Sequence, residues 1–203
     1  MNLIYLSNSI LPSKAANSIH VMKMNQAFSK NGFNNVLFAK KGSQEVNDIY
    51  DFYGVDNSFP IKFYRTPATI KGSSIISIVE IVFYLLKGKR ENTIIYGRDI
   101  YGVMISWLMG FEVIYESHGI PYSRVVMYLE KWLLSRKKNV TFIVISEALK
   151  KMYRQFFEGN YKVNVCHDAS DIPQIIYKNN FSAITNRLVL TTRRAFLQNH
   201  PNL

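Results

Sequence analysis

A chain of 203 residues, 48% hydrophobic and 14% aromatic, can bury a core without metal or disulfide staples, which excludes an extended disordered protein. Its single cysteine, Cys166, excludes an internal disulfide framework, and a mean hydropathy of −0.04 excludes a polytopic membrane protein. With 25 Lys+Arg against 14 Asp+Glu the net charge is +11, which draws the chain to phosphate-bearing partners: nucleic acid, anionic lipid headgroups or nucleotide diphosphates.

Residues 2–7 form a short apolar run of the buried-strand type, with no basic region ahead of it, so no signal peptide is expected. A polar loop follows over residues 8–17, with Pro12 inside it. Ser18 is the expected N-cap of a helix that places Ile19, Met22, Ala27 and Phe28 on one face and stops at Asn31-Gly32. Residues 35–39 and 61–64 read as strands. Residues 74–87 read as a helix whose apolar stretch, 75–86, falls short of the roughly 20 residues a spanning helix needs and carries Glu80.

The alternation continues. Residues 93–96 form a strand, followed by a helix over 100–109 ending at Gly110. The strand 112–115 leads into Ser117-His118-Gly119, and Pro121 opens a helix running to Ser135. Residues 141–145 form a strand, Ser146 caps a helix to Phe157, and residues 161–165 close the series. Alternating strands and helices imply an α/β fold, a Rossmann-like parallel sheet with helices on both faces. Ligands then meet the carboxyl edge of the sheet, where residues 8–17, 97–99, 117–121, 146–147 and 167–168 lie. Beyond Asp171 there is no acidic residue. The domain is therefore expected over 1–173, with an irregular basic tail over 174–203.

Four groups in those loops could carry chemistry. Lys14, Asn17 and Ser18 stand before a helix N-terminus, where they could cradle a phosphate or sugar hydroxyls; the alternative is an ordinary crossover loop with a serine cap. Neither a Gly-x-Gly-x-x-Gly fingerprint nor a Walker A loop is present. His118, at a strand's carboxyl end, can donate to a developing anion or exchange a proton, and Gly119 beside it would let a ligand approach the backbone. Arg98 could clamp a carboxylate or phosphate with Asp99 orienting it, or the two could form a local ion pair capping the next helix. Ser146 and Glu147 complete the candidate edge. His20 reads as a packed helix residue, and His167-Asp168 as adjacent side chains facing opposite ways.

Two apolar segments are edged by basic residues. Lys87, Lys89 and Arg90 follow residues 75–86, while Lys131, Arg136, Lys137 and Lys138 flank residues 127–134. This is the composition of a membrane-surface helix as well as of a core helix with solvated ends.

Taken in order, these segments are familiar. Residues 2–6, 12–20 and 22–36, then Tyr96-Gly97-Arg98-Asp99, then Tyr115-Glu116-Ser117-His118-Gly119, resemble the N-terminal half of family-4-like glycosyltransferases of the GT-B type. Residues 142–150 and 163–171 are similar to the family's approach to its interdomain crossing. The resemblance covers residues 1–173. It implies one half of a two-domain cleft, acceptor side, with His118 at the family's active-site histidine close to the transferred sugar. It implies a nucleotide-sugar donor, metal-independent catalysis, and a sugar or lipid-linked acceptor in cell-surface polysaccharide biosynthesis of the O-antigen or capsule (lipopolysaccharide) type. The expected location is cytoplasmic, peripheral at the inner face of the cell membrane, against an anionic surface.

Two departures qualify the match. Ala15 and Ala16 replace the glycines of the family's phosphate-facing loop. No second strand–helix series follows to supply the family's Arg/Lys pair and Glu-x₇-Glu motif. A donor-binding half is thus expected to be missing, the tail to be a truncated or frame-shifted remnant, and the chain alone to be inactive. Two rivals stand beside this reading: a basic Rossmann-like module for nucleic acid, and a non-catalytic subunit that completes its cleft with a separate C-terminal donor-domain protein.

Overall fold

The computed structural model describes residues 1–65, 73–88, 90–136, 138–158 and 161–167. Lys89, Lys137, Asp168 and the tail over 174–203 lie outside the described residues, and so does the boundary expected near 173.

Among the described residues, seven strands form one sheet: β1 (Asn2–Leu11), β2 (Asn34–Lys41), β3 (Ile61–Tyr64), β4 (Thr93–Gly97), β5 (Glu112–Ser117), β6 (Val140–Val144) and β7 (Val163–Val165). Their order is β3-β2-β1-β4-β5-β6-β7 and every pairing is parallel. The chain moves outward from β1 to β3, crosses back, and moves outward again from β4. The carboxyl ends of β1 and β4 therefore flank the switch point at which such sheets hold ligands. Six helices fill the crossovers: α1 (Ala16–Lys30), α2 (Ile49–Tyr53), α3 (Ser73–Lys87), α4 (Ile100–Leu108), α5 (Arg124–Leu134) and α6 (Glu147–Phe156). The expected Rossmann-like α/β architecture is what the chain adopts.

Strands buried on both faces explain the continuous apolar runs, of which β4 is buried at every position. Two clusters make the core. On one face Val21 and Met22 of α1 and Tyr53 of α2 pack on Leu3, Tyr5, Leu37 and Ile114. On the other, Ile81, Leu85, Val103, Leu133, Leu149 and Tyr153 of the remaining helices pack on Ile4, Leu6, Ile95 and Tyr115. The two tryptophans meet where α4 abuts α5: Trp107 and Trp132 stack edge to face at 4.8 Å, and the Arg136 guanidinium lies 4.1 Å over the Trp132 ring.

The sequence expectations need four corrections. The first strand does not stop at Ser7; after a register shift it pairs again, Ile10 with Lys40 and Leu11 with Lys41, so the loop expected over 8–17 shrinks to the residues just before α1. Ser7 Oγ donates to Ser9 Oγ at 2.9 Å across that shift, side chains standing in for ladder bonds. Ser18 is not a cap: α1 starts at Ala16 with no side-chain cap, and the buried Ser18 donates to the Ile10 carbonyl at 2.9 Å. Pro121 precedes α5 by three residues instead of opening it. The short helix α2 was not expected; Asp48 caps it, accepting from Tyr50 and Asp51, and Gly54 ends it at φ +56°.

Gly97 sits where β4 and α4 close on β1. A Cβ there would stand 2.8 Å from the Leu6 carbonyl oxygen and 3.0 Å from Val103 Cγ2, so only glycine fits without displacement.

Candidate functional site

Side chains alternate along β5, and that alternation builds the site. Val113, Tyr115 and Ser117 turn toward α5 and α6, whereas Ile114 and Glu116 turn toward the α1 face. A carboxylate is thereby carried on a buried strand, 5% exposed, among apolar neighbours. Burial at that level is tolerated only if partners surround the charge.

They do. Tyr96, on the adjacent strand β4, donates from its hydroxyl to Glu116 Oε2. His118 Nε2 is hydrogen-bonded to Glu116 Oε1. Arg98 Nε lies 3.6 Å from the same Oε1, and His20 Nε2 of α1 lies 3.7 Å from it. The His20 and His118 rings meet edge-on, centroids 5.8 Å apart at 80°. Burial alone pushes the Glu116 carboxyl up; the hydrogen bonds from His118 and Tyr96 and the Arg98 charge outweigh it and leave the group below the ordinary glutamate value. Glu116 is ionised at neutral pH. Tyr96 moves the other way, held well above its ordinary value by burial and then by the Glu116 charge, so it keeps its proton and donates it.

A second buried carboxyl props the loop from below. Glu130 of α5 accepts from Tyr115 and Tyr153, each at 2.7 Å. The Tyr153 hydroxyl is 2.6 Å from Ser117 Oγ and 3.1 Å from the Gly119 carbonyl, tying the His118 segment to α6. Burial raises the Glu130 pKa above its ordinary 4.5, with the tyrosine hydrogen bonds only partly offsetting it. A raised carboxyl contributes most below its unfolded value, and that contribution is lost as pH climbs through the folded one. Glu130→Gln, which cannot ionise, is therefore expected to gain stability relative to the parent between about pH 4.5 and 8. Urea unfolding at both ends of that range measures it, and an unchanged difference would refute the assignment.

The candidates distribute unevenly. His118, 28% exposed, and Arg98, 17% exposed, come together on Glu116. Asp99 does not orient Arg98. It is buried, caps α4 by accepting from the Tyr101 N–H, and is pushed up by burial against the Tyr101 and Gly102 hydrogen bonds that lower it. Arg98 turns instead to Glu116. Lys14 and Asn17 are exposed at the start of α1, and Ser18 is spent on β1. Gly119 has open space around its Cα, so close packing does not demand a glycine there. Ser146 caps α6 through the Leu149 N–H at 3.1 Å, and the exposed Glu147 lies 3.7 Å from Lys150.

Glu116, Tyr96 and His20 belong to the cluster but were not singled out from sequence. An acid at the carboxyl end of an apolar run, two residues before the histidine and hence on its face, is the available signal for Glu116. His20 looked like core because α1 presents it beside Val21 and Met22; its approach to β5 is set only by the fold. His20, Glu116 and His118 each offer one donor atom, all within 4.8 Å of one another, so these three are also the residues that could hold a metal ion.

No family model and no curated protein matches the chain. Among solved structures it is similar to a sucrose-phosphate synthase from Thermosynechococcus elongatus, at 15% identity and a TM-score of 0.55, covering 97% of this chain and 99% of that one. The likeness is one of fold: a Rossmann-like α/β unit with a parallel sheet, of the kind that makes one half of a GT-B structure.

Proposed function

We propose that the chain is the acceptor-side half of a GT-B glycosyltransferase. It would help move a sugar from a nucleotide-sugar to a lipid-linked or saccharide hydroxyl in cell-surface polysaccharide biosynthesis of the O-antigen or capsule type. The observation that carries this reading is His118 held on Glu116 at the carboxyl edge of the sheet, beside Arg98 and the β1–β4 switch point. In that role His118 stands against the transferring sugar, and basic residues of a donor half stabilise the departing diphosphate without a metal.

The described unit makes one wall of such a cleft. One exposed helix N-terminus contributes about 1 kcal/mol toward an anion, far from the ~8 kcal/mol of micromolar affinity. The 203-residue chain is therefore expected to bind uridine- and guanosine-diphosphate sugars no tighter than about millimolar. Saccharide acceptors should shift the His118, His20 and Arg98 resonances in a titration followed by NMR. Micromolar binding of a nucleotide-sugar with those three resonances unmoved would overturn the reading.

The proposed location is the inner membrane surface. On α3, Ile76, Val79, Phe83 and Leu86 are exposed at helical spacing, 46% to 64%, with Lys87 and Arg90 beyond them. Val125 and Tyr128 of α5 are exposed near Lys131. Apolar stripes edged by cations fit an anionic bilayer, each basic residue contributing about 1 kcal/mol near the surface. No helix among the described residues is long and apolar enough to cross a membrane. Phosphatidylglycerol vesicles should sediment the chain at low salt and release it at high salt, and Phe83→Glu with Leu86→Glu should abolish sedimentation. Equal binding to phosphatidylcholine, or tighter binding to duplex DNA at the same salt, would sink the membrane assignment; the DNA result would favour a nucleic-acid module.

A further inference from the structure

His20 on α1 and the pair Glu116 and His118 at the end of β5 come from elements that only the folded sheet brings together. Their donor atoms all lie within 4.8 Å of one another. His118 Nε2 is hydrogen-bonded to Glu116 Oε1, and His20 Nε2 stands 3.7 Å from the same oxygen. That second separation is too long for a hydrogen bond. It is close to the ~3.4 Å between two ligands that share a tetrahedral ion with bonds of about 2.0–2.2 Å. The two rings lie edge-on at 80°, and each brings a nitrogen to one carboxylate oxygen.

We propose that His20, Glu116 and His118 form a binding site for a divalent transition-metal ion of the zinc type. Two imidazoles and a carboxylate suit Zn²⁺, Co²⁺ or Ni²⁺, whereas Mg²⁺ and Ca²⁺ take oxygen ligands. Tyr96 donates to Glu116 Oε2, which orients the carboxylate and leaves Oε1 for the ion, as partners behind metal ligands do. His118 is 28% exposed, which gives an ion a way in. Arg98 is the competitor: its Nε lies 3.6 Å from Oε1, and its charge opposes a cation there. The Arg98 Nη1 has no hydrogen-bond partner among the described residues, so the guanidinium is held at this spot by Glu116 and gives way to an ion that takes that oxygen. The site belongs to the acceptor side and has no part in holding a donor diphosphate. The inference does not rest on sugar transfer.

Calorimetric titration of the 203-residue chain at neutral pH should show one Zn²⁺ bound with micromolar affinity or tighter, and no comparable binding of Mg²⁺. One equivalent of Zn²⁺ should shift the side-chain NMR resonances of His20 and His118 together, a reading on the parent that depends on no variant staying folded. Partners behind metal ligands are alone worth about 10–100-fold in affinity, so His118→Ala, which removes a ligand, should weaken binding by ~100-fold or more. Arg98→Ala should tighten it about 10-fold, because a positive charge is withdrawn from the site. His167→Ala combined with His200→Ala, which removes the other two histidines of the chain, should leave the affinity as it is. Absence of saturable binding up to about 100 μM Zn²⁺ would overturn the proposal. So would shifts confined to His167 and His200, loss of binding in that double variant, an affinity that His118→Ala leaves unchanged, or one that Arg98→Ala fails to tighten.

Discussion

Gly97→Ala is expected to destabilise the folded chain by about 3 kcal/mol and to lower its Tm by about 6–12 °C. The added Cβ meets the Leu6 carbonyl oxygen at 2.8 Å, Val103 Cγ2 at 3.0 Å and Leu6 Cβ at 3.2 Å. None of these can step aside cheaply. Leu6 is paired on both sides, with Phe38 of β2 and Gly97 itself of β4, so moving its backbone disturbs two ladders. Val103 is fully buried. A total stability of roughly 5–15 kcal/mol leaves little reserve for such a loss. Gly119→Ala is the matched control, since nothing lies within 4 Å of its Cβ, and it should stay within about 0.5 kcal/mol of the parent. Urea unfolding of both variants decides the matter; a Gly97→Ala chain as stable as Gly119→Ala would show that β1 yields more readily than its pairings imply.

In the assembly with a donor half proposed above, His118→Ala is expected to reduce kcat by about 10²–10⁴-fold while leaving the fold intact. The segment that carries His118 is held by Ser117, Tyr153 and Glu130 rather than by the imidazole, so truncation empties the site without releasing the loop. It also leaves Glu116 with Tyr96 and Arg98, enough to keep the carboxylate satisfied. The loss should therefore appear in catalysis and not in a thermal melt. Full activity in His118→Ala would remove the histidine from the reaction and leave the cluster a structural one.

Most of the sheet could be read from sequence because its signals are local. Residues 94–96 run apolar on a strand buried at every position since both faces are covered, and Ser146 caps α6 through its own neighbour, Leu149. Ser18 failed as a cap because its partner, the Ile10 carbonyl, lies on a strand extension that pairs only after a register shift. The extension itself is hidden by polar residues, of which Ser7 and Ser9 satisfy one another instead of following the apolar pattern. α2 has a good cap in Asp48 and a left-handed stop in Gly54, but five residues are too few for a periodicity to show. The site followed the same division. Position on a strand end pointed to His118 and Arg98, while the groups that organise them come from β4, β5 and α1 and converge only when the sheet order is known.

The pairing of Trp107 with Trp132 determines what light can report about this molecule. These are the two tryptophans of the chain, in ring contact at the α4–α5 seam. Emission excited in the indoles thus samples a single corner, whose polarity is set by Arg136 above the ring and by the Lys138 carbonyl that accepts from Trp107 Nε1. Docking of α5 on a bilayer should change that emission, whereas a sugar arriving at Glu116 should leave it unchanged. Intrinsic fluorescence can follow attachment to the surface without interference from occupancy of the cleft.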